Sequence, residues 1–136
     1  MTKIIDGKEF AQKIRNQVKE DSDNLFKSKE VQPCLAVVLV GENPASKVYV
    51  GAKTKMAAEC NIKTKDFKME DTADQATLLK VIEELNNDSS VHGILVQLPL
   101  PKQIDERAVI DAIDVKKDVD GFHAINAGRL SIGGEM

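Results

Sequence analysis

"CLAVVLVGENPASKVYVGAK", residues 34–53, joins an unbroken apolar run to a turn and then to a lysine-bearing segment. Leu35 to Val40 is β-branched and leucine residues with no polar alternation, the pattern of a strand covered on both faces in a parallel sheet. Asn43 and Pro44 are an N-cap and first-turn pair, so the spacing predicts a helix from Pro44 to about Cys60, with Asn61 as its stop. Ser46, Tyr49 and Lys53, at offsets of three, four and seven, fall on one face of that helix. Tyr49 is the only tyrosine of the chain.

The flanking sequence repeats the alternation of helix and strand. Asp6 with Glu9 reads as a capping box, and Ala11, Ile14, Val18 and Leu25 continue one apolar stripe to about Ser28. After the 34–53 unit, "KTKDFKM" alternates weakly and fits a short strand near an edge. Thr72 with Gln75 is a second capping box, ahead of Leu78, Leu79, Ile82 and Leu85 at helical spacing, and "NNDSS" breaks that helix. "VHGILVQLPLP" is a second buried strand whose prolines force an exit. Asp105 to Ile113 is a short helix. "KKDVDGFHAINAGRL" has turn chemistry at Asp120-Gly121 but no periodicity, and is expected to be a loop. The order predicts an α/β fold: a three-layer sandwich with a mainly parallel sheet, flanked by helices through right-handed crossovers. Functional residues in such sheets gather beyond the carboxyl ends of the strands, here after Val40 and Val96.

The length of 136 residues suits one domain, 1–136, with its own core. Hydrophobic residues make up 42% and charged residues 30%, with a net charge of −3, the balance of a soluble globular protein. That balance carries no nucleic-acid footprint and no polybasic membrane surface. No stretch approaches the ~20 apolar residues of a membrane span, and the N-terminus lacks a secretory h-region. Cys34 and Cys60 lack CxxC spacing and read as core residues, which makes a reducing, cytoplasmic compartment the expectation.

Several local patterns carry chemistry. The Ser46–Tyr49–Lys53 face fits either a solvated polar surface or a ring for stacking beside a lysine that moves protons. A lysine serves as a base near neutral pH only where burial or nearby cations favour its neutral form. "GENPASKV" is not a P-loop: Ser46 replaces the second glycine, Val48 the Ser or Thr, and Pro44 lacks an amide. Tyr-x-x-x-Lys also occurs in short-chain dehydrogenases, but no G-x-G-x-x-G is present. Gln97 ends an apolar strand, where its amide must find partners or face a cleft. Asp118 and Asp120 flank Val119; Asp120 is either a turn former or a carboxylate for the amidine-like edge of a heterocycle. His92 and His123 lack metal-ligand spacing and read as solvated or loop residues, so no metal site is expected.

Together, "VGENPASKVYVGAKTKMAAECNI", "GILVQLPLPKQID" and "KDVDGFHAINAGRL" resemble the bifunctional methylenetetrahydrofolate dehydrogenase/cyclohydrolase family, called FolD in bacteria. The resemblance runs from about Ile4 to Leu130 and rests on three long blocks in the right order. It implies that this is the family's N-terminal catalytic domain. It implies catalytic roles for Lys53, Gln97 and Tyr49: Tyr49 packs on the folate, and Lys53 is the main group of the cyclohydrolase step. Gln97 of V-Q-L-P-L-P would contact and tune that lysine. Folate would be bound by these three with Ser46, Leu98 and Asp120, the last holding the pterin's pyrimidine edge. NADP or NAD would be the hydride acceptor in the full-length enzyme, which is commonly a homodimer. Family members run to about twice this length and add a Rossmann domain. No cofactor-binding residue is therefore expected in this chain, which the resemblance implies is a fragment, and the chain alone is expected to lack dehydrogenase activity. The alternative is a non-catalytic folate-binding or regulatory fragment.

Overall fold

The computed structural model describes residues 4–134. Three strands, β1 (Cys34–Val40), β2 (Lys63–Met69) and β3 (Gly93–Val96), form an all-parallel sheet in the order β2-β1-β3. The apolar run of β1 is explained by its central place: six of its seven residues are buried, and Ala36 and Val38 are wholly inaccessible. β2 lies at an edge, and its alternating burial fits its lysine-rich composition.

Helices cover both faces of the sheet. On one side α2 (Pro44–Glu59) packs Val50 against Val37, Leu39 and Leu95. On the other, α3 (Gln75–Asn87) and α4 (Glu106–Ala112) bury Leu78, Ile82, Leu85 and Val109 against Ala36, Val38, Ile94 and Val96. The three-layer α/β sandwich is therefore present. Among the described residues no helix is long and apolar enough to cross a membrane.

Caps set the helix boundaries. Asn43 Oδ1 accepts from the amides of Ala45 and Ser46, as the Asn43-Pro44 pair implied. Asp105 caps α4 in the same way, and Asn61 takes the left-handed conformation (φ 57°) that stops α2. Asp6 caps α1 (Gly7–Lys29), while the Glu9 side chain pairs with Lys13.

Three expectations are corrected. The α3 cap is Asp74, not Thr72: its carboxylate accepts from Thr77 N at 2.7 Å, and Gln75 instead accepts from the amide of Asp105. The apolar stripe of α1 does not enter the core. Ile14 is 51% exposed, and Ser22 is the only residue of that helix that is fully buried. Hydrogen bonds tie α1 to the end of α2 and the turn after it, Cys60 Sγ to Arg15 O and Ser22 Oγ to Asn61 O. Finally, the segment after Gly121 is not all loop. Ala124–Ser131 is a helix, α5, capped by His123 Nδ1, which accepts from Ile125 N. Its buried residue is the polar Asn126, so no apolar periodicity marked it.

Candidate functional site

The strand order creates the site. The chain passes from β1 to β2 on one side, then returns across to β3 on the other. The direction of winding reverses at β1, so the topological switch point, where such sheets take their ligands, lies beyond the carboxyl ends of β1 and β3. α2 begins beyond β1, and Gln97 follows β3.

Beyond these strand ends, Lys53 Nζ donates to Gln97 Oε1 at 3.2 Å, joining residues 44 positions apart. Gln97 Nε2 donates to Leu98 O at 2.8 Å, which fixes the amide with its oxygen toward the lysine. Both residues are half-buried. Tyr49, one turn earlier on α2, is 61% exposed and presents an open ring. Ser46 is 3% exposed and lies in the packed base of the helix rather than on the open face. Leu98 is half-buried beside Gln97.

Asp120 reaches the same place from the loop before α5. Burial pushes its carboxyl above the usual range, the Lys53 ammonium opposes that rise, and the Asp118 carboxylate adds to it. The residue as a whole is exposed. Among the described residues its carboxylate has no hydrogen-bond partner, unlike that of Asp118. Asp118 is held below the usual carboxylate range. Burial works against its charge, but donors from Asn126, His123 and Gly121 prevail. Lys53 thus touches Gln97 and acts on Asp120, with Tyr49 one turn away. This arrangement places an exposed aromatic ring, an amine and a carboxylate without a hydrogen-bond partner among the described residues near one another.

The raised ionisation of Asp120 has a consequence for stability. An acid whose folded value lies above its unfolded one costs stability once ionised, and that cost disappears as pH falls below the unfolded value. Asp120→Asn is therefore expected to leave the thermal midpoint at pH 7 unchanged or raised. Thermal unfolding followed by circular dichroism checks this, and a clear fall would show the carboxylate to be structural.

Neither histidine joins the site. His92 Nδ1 accepts from Cys34 N at 3.1 Å, and His123 caps α5. Cys34 and Cys60 are buried thiols. No cluster of three metal-ligating side chains occurs among the described residues. Sequence reasoning missed Asn126, whose only signal was a polar residue within an otherwise unpatterned segment.

Fold and site define a doubly wound α/β domain with Lys53, Gln97 and Asp120 brought together at its topological switch point. Residues 5–120 match the family model for the tetrahydrofolate dehydrogenase/cyclohydrolase catalytic domain, and the chain belongs to that family. It is 53% identical over 130 residues to the bifunctional protein FolD of Zymomonas mobilis, covering 96% of this chain and 44% of that protein. The crystal structure of the bifunctional enzyme FolD of Campylobacter jejuni superposes with a TM-score of 0.92 at 49% identity, over 96% of this chain and 46% of that one. The FolD of Trypanosoma brucei, solved with NADP cofactor and inhibitor, gives 0.91 at 31% identity, over 96% and 44%. The chain thus spans less than half the length of these relatives.

Proposed function

We propose that residues 1–136 are the folate-binding catalytic domain of an enzyme with two activities. One is the NADP-dependent oxidation of 5,10-methylenetetrahydrofolate, and the other is hydrolysis of the methenyl product to 10-formyltetrahydrofolate. The observation that carries this reading is the Lys53–Gln97 hydrogen bond beside Asp120 at the switch point of a family-matching fold.

The roles are those the family resemblance implies, and the Lys53–Gln97 hydrogen bond supports them. The Tyr49 ring stacks on the pterin, and the Asp120 carboxylate accepts two hydrogen bonds from its amino-pyrimidine edge. That pose directs the one-carbon bridge toward Lys53. In hydrolysis, water adds to the methenyl carbon and loses a proton; the ring nitrogen then gains one as its bond to that carbon breaks, while the remaining hydroxyl proton leaves as the formyl carbonyl forms, so that one proton is released overall. Lys53 Nζ is the group placed to pass these protons, and Gln97 Oε1 holds it in position. Leu98 lines the pocket wall, and Ser46 supports the base of α2.

The nicotinamide supplies hydride acceptance when bound. The described residues do not fit it: the turn after β1 reads Gly41-Glu42-Asn43-Pro44, with a proline where a pyrophosphate would need an amide. The cofactor is proposed to sit on residues beyond this domain, and the active protein to be a cytoplasmic homodimer, as the family resemblance implies.

Calorimetric titration of the chain with 5-formyltetrahydrofolate tests the reading. Saturable single-site binding is expected, weakened roughly tenfold to a hundredfold by Asp120→Ala, as loss of a hydrogen bond to a charged group implies. Folded chain without saturable binding, or binding unaffected by Asp120→Ala, refutes it.

A further inference from the structure

In the segment Lys117 to Asn126, several side chains are committed to the scaffold, while Asp120 is free. Lys117 Nζ donates to the carbonyls of Leu85, Asn86 and Asp88 at 2.8–2.9 Å, capping the end of α3. Lys117 O accepts from Ile94 N at 2.7 Å, which ties the loop to β3. Val119 fills the space above Gly93, where an added Cβ would lie 2.5 Å from its Cγ1. Asp118 Oδ1 accepts from Gly121 N at 3.1 Å, and its Oδ2 accepts from His123 N and Asn126 Nδ2, each at 3.0 Å. Asn126 is 3% exposed, and its Nδ2 also donates to Val115 O at 2.8 Å. Gly121, at φ 68°, makes the turn that lets the chain fold back over Asp118.

We propose that Asp118 and Asn126 are positioning residues that aim the Asp120 carboxylate at the ligand. This rests on the folate-site reading above. The donor count explains why a carboxylate is needed at 118. Both oxygens accept, from three N–H groups in all, whereas an amide has a single acceptor oxygen. Asparagine there would turn its own N–H toward a donor on one side, and the loop would have to open. Two aspartates separated by one residue thus do different work: Asp118 is spent on the fold and Asp120 is left for the ligand.

The experiment is the titration with 5-formyltetrahydrofolate repeated across pH for four variants. Asp118→Asn is expected to weaken binding at least about tenfold at neutral pH, in line with loss of hydrogen bonds to a charged acceptor. It is also expected to move the acid limb of the affinity profile to lower pH. The charged groups facing Asp120 are Lys53 from α2 and Asp118 from its own loop. Removing the like charge therefore lets Asp120 ionise more readily. Asn126→Ala is expected to weaken binding in the same direction without removing the charge, and so without that shift. Asn86→Ala is the control for general destabilisation. The Asn86 side chain bonds Ala112 O and Asp114 N and makes no hydrogen bond to Asp118, Asp120 or Asn126, and its loss is expected to leave affinity unchanged.

Asp118→Asn binding as tightly as the unsubstituted chain overturns the inference, as does an equal loss in Asn86→Ala. Asp120→Ala, run alongside, separates the two claims. If it weakens binding while Asp118→Asn does not, only the positioning role fails. If it has no effect, the folate-site reading fails and the inference goes with it.

Discussion

Lys53→Met is expected to slow hydrolysis of methenyltetrahydrofolate by about 10²–10⁴-fold, the usual contribution of a positioned proton-transfer group. Methionine keeps the length and apolar stem of lysine, so α2 and the Tyr49 face should stand unchanged. What is lost is the Nζ that donates to Gln97 Oε1 and whose charge acts on Asp120. Folate affinity is expected to fall less than in Asp120→Ala, because Asp120 is the side chain proposed to hold the pterin. The measurement is loss of methenyl absorbance at saturating substrate in the full gene product, with binding followed separately. If binding and turnover fall in equal measure, Lys53 is a binding or folding residue and the proposed proton transfer is wrong.

Leu78→Ala should have the largest effect on stability, roughly 2–5 kcal/mol, the range found for buried leucines truncated in rigid surroundings. Leu78 and Ile82 are wholly inaccessible and Leu85 is 3% exposed, so one face of α3 is pressed against the sheet across two turns. Neighbours in a close-packed core relax only in part, and a cavity remains. Against the 5–15 kcal/mol typical of a domain, that is a large share. Urea unfolding measures it directly. Ile14→Ala on α1 is the contrast: at 51% exposure it is expected to change stability by no more than about 0.5 kcal/mol. Comparable losses in the two variants would mean that α1 is packed and that the described core is incomplete.

The two variants also show where pattern reading succeeds and fails. Apolar spacing alone made α1 and α3 look alike, with stripes at 11, 14, 18, 25 and at 78, 79, 82, 85. Only α3 has a sheet face beneath it. Periodicity reports that a helix has an apolar side, and the fold determines whether anything covers that side.

The sequence by itself determined the local elements and their likeness to a family. A run such as Leu35–Val40 is stable only when buried on both faces, and Asn43-Pro44 or Asp105 starts a helix through bonds to amides two or three residues away. Those causes act within one turn of the chain, so they can be read from it directly. The tertiary structure decided the rest. Gln97 meets Lys53 because β3 lies beside β1 on the side opposite β2, and spacing along the chain does not encode that order. The division of work between Asp118 and Asp120 depends on which carboxylate meets Asn126 and the loop amides. Hydrogen bonds between residues far apart in sequence form only after packing has brought their elements together.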